Sequence, residues 1–357
     1  MKQTIKHSIQ LLIVVCMAVT LSGCWDNRDI NHRSLPVVMG ISMHNDLYEV
    51  VLQIPEPLQN GINLRIVSES GETINQAVDK ISEKMESSVD LLHLKAILIQ
   101  KEYAKQGLKD SIASFMRARD ISPKAIVAIC DEDLDPFFAN VKRTMAPKGT
   151  TLYDSFEKNA GWNPQMALTR IWEVYRSINS YTRDVAIPIY KSGKSGTVNY
   201  LGSAIIKNGK MVDQISPEET LLFNAFNGQS TQGKIEVMKS ASVLILSNSM
   251  SHKSKFINDK PYLKTKITMK VSIVETRGNP TTQIIKKELD ELLAKRFKRM
   301  FIKTQTREAD ILGLGQFFRN KIPRKQLQNW RSEYFPNLQL DLRIHTVIQN
   351  DGNLKIS

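Results

Sequence analysis

Cysteine is scarce in this 357-residue chain, with three residues at positions 16, 24 and 130. The first two belong to the N-terminal segment, so the body holds Cys130 alone and has no intramolecular disulfide framework. Cys130 ends the apolar run Ala125-Ile126-Val127-Ala128-Ile129, where a thiol reads as a small hydrophobe rather than a nucleophile. Long apolar runs are also missing. After Cys24 no stretch approaches the roughly 20 residues of a membrane-spanning helix.

Signatures of chemistry are missing too. The histidines at 32, 44, 93, 252 and 345 never pair at zinc spacing. Gly193-Lys194-Ser195 resembles the end of a phosphate loop, but Pro188 stands where its first glycine belongs. Gly313-Leu314-Gly315 lacks the third glycine of a dinucleotide fingerprint, because Phe318 takes that place. Asp131, Asp133 and Asp135 have the opening spacing of a calcium loop, yet Pro136 replaces the turning glycine and Lys142 the bidentate acid. They read better as the acidic first turn of a helix through Phe137-Phe138. No Gly-x-Ser-x-Gly elbow occurs. These absences leave no metal, no cofactor and no catalytic group to name, and argue against an enzyme.

What is present begins at the N-terminus. Lys2 and Lys6 precede a largely apolar run from Leu11 to Leu21, and Leu21-Ser22-Gly23-Cys24 closes it as a lipobox. At about 1.5 Å per residue, that run reaches only about half of a hydrocarbon core roughly 30 Å thick. The expectation is a signal peptide over 1–23, cut between Gly23 and Cys24. The Cys24 sulfur then takes a diacylglyceryl group and the freed α-amine a further acyl chain. More than one chain holds a protein firmly on a bilayer, where a single chain gives marginal binding.

The remaining 334 residues are too many for one core and suit two or three domains. Residues 24–35 read as a polar tether. Pro36–Ser42 and Leu47–Ile54 are strands joined across His44-Asn45-Asp46. Ile74, Val78, Ile81 and Met85 have helical spacing, in a helix opened by a polar stretch around Gly71. Alternation then continues with a strand over His93–Gln100, a helix over Leu108–Ala118, a strand over Lys124–Cys130, a helix over Pro164–Ile178 and a strand over Val185–Tyr190. This makes 36–190 a mixed α/β region, with 191–198 as linker and main boundary.

Residues 199–357 read as an α+β domain. Asn208-Gly209 turns a hairpin, and Ser216-Pro217-Glu218-Glu219 opens a helix with a capping box. Leu263–Ile273 and Leu338–Ile348 alternate apolar with polar residues, as in an antiparallel sheet covered on one face. A helix capped by Asn279-Pro280, with Ile285, Leu289, Leu292, Leu293 and Met300 on one side, supplies the cover.

Charge is uneven. Past the signal peptide there are 47 Lys and Arg against 36 Asp and Glu, a net of +11. Residues 252–331 alone carry 20 basic and 7 acidic groups, a net of +13. The few aromatic residues among these lysines, such as Phe256, Tyr262 and Phe297, follow no regular spacing of the kind a single-strand platform requires, so nucleic acid is not the expected partner. Anionic head groups, acidic wall polymer or plain solvent all suit such a segment.

Three blocks together resemble a known family. They are Cys24-Trp25-Asp26 with Arg28-Asp29-Ile30 and Val38-Met39-Gly40-Ile41; Gly202-Ser203-Ala204-Ile205-Ile206-Lys207-Asn208-Gly209-Lys210 with Ser216–Thr220; and Ala309-Asp310-Ile311-Leu312-Gly313-Leu314-Gly315 with Trp330 and Tyr334-Phe335-Pro336. In this order they resemble the spore germination lipoproteins of the Ger(x)C family, the C subunits of nutrient germinant receptors. The resemblance implies several mixed α/β domains, no catalytic residues, and a place on the outer face of the spore inner membrane beside integral A and B subunits. It carries Cys24 over as the lipid attachment site. Asp310, Gly313 and Gly315 are a candidate partner contact, or else a helix end and tight turn. The rival reading is a lipid-anchored solute-binding protein of a transporter.

Overall fold

The computed structural model describes residues 7, 32–59, 61–145, 150–156, 163–193 and 198–350, the last by its backbone alone. The lipobox, the expected signal peptide apart from His7, and most of the tether lie outside the described residues. So does Lys194.

Alternating apolar runs build the first sheet. Its strands are β1 (Val38–His44), β2 (Leu47–Leu58), β3 (Gly61–Gly71), β4 (Ala96–Gln100), β5 (Ile126–Cys130), β6 (Val185–Ser192), β7 (Val198–Lys207) and β8 (Lys210–Ile215). Their order in space is β8-β7-β6-β5-β4-β1-β2-β3. The four central strands run parallel, and an antiparallel pair is added at each edge.

Adjacent residues on the central strands feed two different cores, as a period of two requires. Met39, Ile41, Ile97, Ile99, Val127 and Ile129 pack under α1 (Ile74–Glu83), α2 (Lys101–Gln106), α3 (Lys109–Arg117) and α5 (Ile171–Ile178). Val38, Leu98, Ala128 and Cys130 face α4 (Leu134–Met145) through Phe137 and Phe138. Strands buried on both faces read as unbroken apolar runs, which is why β4 and β5 stand out in the sequence.

The second sheet holds β9 (Ile235–Val237), β10 (Ala241–Ile257), β11 (Lys260–Thr276) and β12 (Gln339–Asn350), in that order. α6 (Pro217–Phe226) and the 25-residue α7 (Thr282–Thr306) cover one face, and α7 is capped by Thr281, whose side chain accepts from Ile284 N, rather than by Asn279-Pro280. Ile285, Leu289, Leu293, Phe297 and Met300 of α7 meet Leu263, Ile267, Met269 and Val271 of β11. Ala186, Ile205 and Ile215 of the first sheet belong to this same core, so the two sheets share apolar packing.

Several expectations are corrected. The polar stretch before α1 is not a helix lead-in but β3, paired with β2 along its whole length from Tyr48↔Gly71 to Leu58↔Gly61. The helix expected from Pro164 begins only at Ile171. The first half of β5 has no pairing from β6, and residues 169–170 fill that edge instead: Val127 N–H donates to the Thr169 carbonyl at 2.8 Å, and Ile126 bridges Arg170. An extended segment there satisfies buried backbone groups that a helix would leave open. The strand expected at His93 starts at Ala96, after a turn over Leu91–His93 capped by Asp90.

In the second sheet the pairing is antiparallel except at the end. β11 and β12 run parallel, because α7 carries the chain back across the sheet before β12 begins. The expected linker at 191–198 stands between two neighbouring strands. β6 and β7 pair antiparallel from Val185↔Ile206 to Ser192↔Val198, and the first sheet runs on to Ile215. Three hairpin turns use Asn45-Asp46, Asn208-Gly209 and Asn258-Asp259, all with positive φ, as type I′ geometry demands.

Candidate functional site

The block around Asp310 sits where the two halves of the chain meet. Asp184, immediately before β6, is fully buried. Arg331 donates to it from Nη2 at 2.8 Å and from Nε at 2.9 Å, and Arg331 Nη2 also donates to the carbonyls of Ser180 and Arg183. Two backbone N–H groups complete the shell: Asp310 at 2.9 Å and Asn208, in the β7–β8 turn, at 3.1 Å. The Asp184 N–H in turn donates to the Asp310 carbonyl at 2.8 Å. A loop of the first half is thereby stitched to the second half by both backbone and side chain.

Asp310 is equally buried and accepts three bonds, from Leu314 N at 2.8 Å, Gly315 N at 2.8 Å and Trp330 Nε1 at 2.9 Å. Burial pushes its carboxyl up to about 7, and the Asp184 charge adds to the rise, while the three N–H donors pull the other way. Gly313 turns the chain with φ +65. At Gly315 a Cβ would lie 2.6 Å from the Trp330 ring, so only glycine lets the indole reach Asp310. Trp330 stacks on Phe318 at 5.5 Å between ring centroids and on Tyr334 at 6.2 Å. Gln316 Nε2 donates to Thr182 Oγ1 at 2.6 Å, a third tie between the same loops.

A polar cleft of about 560 Å³ opens beside this seam, lined among others by Arg170, Trp172, Arg176, Arg183, Asn227 and Gln232. The Arg176 guanidinium lies 4.7 Å over the Trp172 ring. Burial, with the nearby Arg176 charge, holds Arg183 below the usual guanidinium range.

The structure brings Asp310, Gly313 and Gly315 together, but with their polar groups turned inward onto Trp330 and the backbone. Asp184, Thr182 and Arg331 complete the seam and were not singled out from the sequence. They sit in polar stretches without spacing or repeat, and only Trp330 beside Arg331 gave a cue. The acidic trio opens α4 as expected: Asp131 pairs with Lys101 at 2.7 Å, and Asp133 accepts from Gln100 at 2.8 Å. Burial pushes the Cys130 thiol up to about 12, which keeps it protonated and unreactive. Among the described residues no three His, Cys, Asp or Glu side chains come together as a metal site.

Two family descriptions match in tandem. "Spore germination protein N-terminal domain" covers residues 26–192, and "Spore germination B3/ GerAC like, C-terminal" covers 201–352. The chain belongs to the spore germination protein family. Among its relatives, spore germination protein KC of Bacillus subtilis is 21% identical, over 98% of this chain and 97% of its own length. Spore germination protein A3 of the same organism is 23% identical over 96% and 98%. GerQC of Bacillus cereus is 22% identical over 76% and 78%. The crystal structure of the GerBC protein has the same fold, with a TM-score of 0.57 and 20% identity over 87% of this chain and 97% of that one. The seam therefore locks the N-terminal family unit, through Thr182 and Asp184, to the C-terminal unit, through Gln316, Asp310 and Arg331.

Proposed function

We propose that this spore germination protein is the lipid-anchored C subunit of a nutrient germinant receptor. In this reading it is held by Cys24 on the outer face of the spore inner membrane and works, without catalysis of its own, beside integral A and B subunits. The observation that carries the reading is the match of both family units across nearly the whole chain, directly behind the lipobox Leu21-Ser22-Gly23-Cys24. The described residues support it: the buried Asp184 carboxylate is spent on joining the two units, and no helix among them is long and apolar enough to cross a membrane.

The cleft beside Arg183 gives the solute-binding reading a foothold. Against that reading, the two sheets are unlike, one of eight mixed strands and one of four, whereas solute-binding proteins close two similar lobes on a ligand. The test is a Cys24→Ala chain in spores. The receptor reading expects a folded protein that is poorly retained at the membrane, slower nutrient-triggered germination, and a tagged parent that co-purifies with two integral subunits. Unchanged retention and unchanged germination would sink it.

A further inference from the structure

The register of the second sheet sorts its residues into two faces. One face lies under α6 and α7. On the other, Lys253 of β10 stands opposite Lys264 of β11, and Lys266 of β11 stands opposite Arg343 of β12. Lys255 and Lys270 share that face, and all six cations are exposed. Asp341 is the carboxylate among them, already engaged by the Tyr262 hydroxyl at 3.0 Å and by Arg343 at 3.7 Å, and Glu275, exposed in the row of Ser242 and Val237, is a further carboxylate at the far end of the face. Like charges directly across a strand pair destabilise a sheet, so solvation alone is a poor reason to gather them. A fold that keeps such a conflict commonly uses it.

The same face carries apolar side chains at one end. Ile235 and Val237 of the short edge strand β9 are 46% and 58% exposed, and Val274 of β11 is 56% exposed. Ile235 sits in register with Leu244, which is opposite Ser272, so this apolar end continues the lysine face. Cations in the middle and apolar groups at one edge are the two components of interfacial membrane binding. No element among the described residues packs over the cations.

We propose that this outer face lies against an anionic phospholipid bilayer. The proposal rests on the reading of the chain as a membrane-held subunit and adds a second, protein-borne contact that would orient the body on the lipid. Lysine head groups meet the phosphates, and Ile235, Val237 and Val274 enter the head-group layer.

The test separates the face from the anchor. Full-length chains carrying Cys24→Ala are mixed with vesicles of phosphatidylcholine alone, or with phosphatidylglycerol added, and floated through a density gradient. Every chain in the comparison lacks the acylated cysteine and keeps the same N-terminal apolar run, so differences report the sheet. Binding should require phosphatidylglycerol and weaken as salt shortens the screening length. Lys264→Gln, Lys266→Gln and Lys270→Gln together should lower partitioning about a hundredfold, taking each cation's usual contribution at an anionic surface. Val237→Asp should lower it further. Melting curves of the variants establish that they remain folded. Equal binding to both vesicle types, or a triple variant that binds like its parent, overturns the proposal, as does binding to soluble wall polymer with none to vesicles. None of these outcomes bears on Cys24-dependent retention in spores, which tests the anchor by itself.

Discussion

At Asp184 a buried carboxylate is matched by the Arg331 guanidinium and by two backbone N–H groups. Removing one partner of such a pair leaves an uncompensated buried charge, which typically costs about 3–5 kcal/mol. Arg331→Met should therefore destabilise the chain by about that much in denaturant melts, and more than the same change at exposed Arg319. Gly315→Ala should also be costly, by about 1–3 kcal/mol, because its Cβ displaces the Trp330 ring from Asp310. Asp310 adds a pH dependence with a definite sign. Its carboxyl titrates near 7 in the folded chain and near 4 unfolded, so between those values the folded state binds more protons. Stability from this group is present below about pH 4 and is lost as pH rises through about 7. Asp310→Asn should flatten the fall in stability between pH 4.5 and 7.5 relative to the parent. Parallel stability profiles for the two proteins would contradict the assignment.

Among the elements, the start of α6 was legible to the residue. Ser216 Oγ accepts from Glu219 N at 3.2 Å, Glu219 Oε2 accepts from Ser216 N at 3.0 Å, and Pro217 begins the helix. Ser216→Ala should cost about 1 kcal/mol in a thermal or denaturant melt, a cap's usual contribution. The turns at Asn45-Asp46 and Asn208-Gly209, α1, β4, β5 and the long alternating β11 were legible for the same reason, since local chemistry and period dictate them. Three things were not. β3 and β10 carry many polar residues because each has a face toward water, so their periodicity is weak; both are fixed by long pairings to β2 and β11. The segment before α5 has apolar residues at helical spacing, yet the unpaired half of β5 claims its backbone. The seam was legible only as a glycine-rich block near a tryptophan. Its other half lies at Thr182 and Asp184, about 130 residues away in sequence, and no local signal links residues that meet only after folding.

For the whole molecule, the question is whether the two family units fold separately. A break at 191–198 falls between β6 and β7, which pair along eight residue positions, so it cuts through one sheet. A fragment starting at 199 would carry β7 and β8 without the strand they pair with. It would bare Ile205 and Ile215, whose core partner Ala186 lies on the other side of the break. It would also leave Asp310 and Arg331 without Asp184, so one buried cation would lose its counter-charge. Packing and polar pairing thus argue in the same direction. The described body should unfold in a single cooperative transition, with one midpoint by circular dichroism and by tryptophan fluorescence. The separate 199–357 fragment should bind a hydrophobic dye and lack a cooperative melt. Two resolved transitions in the intact chain, or a sharp melt from the fragment alone, would show that the seam joins two self-sufficient domains. In that event Arg331→Met should lower only the coupling between the transitions and leave each midpoint near its parent value.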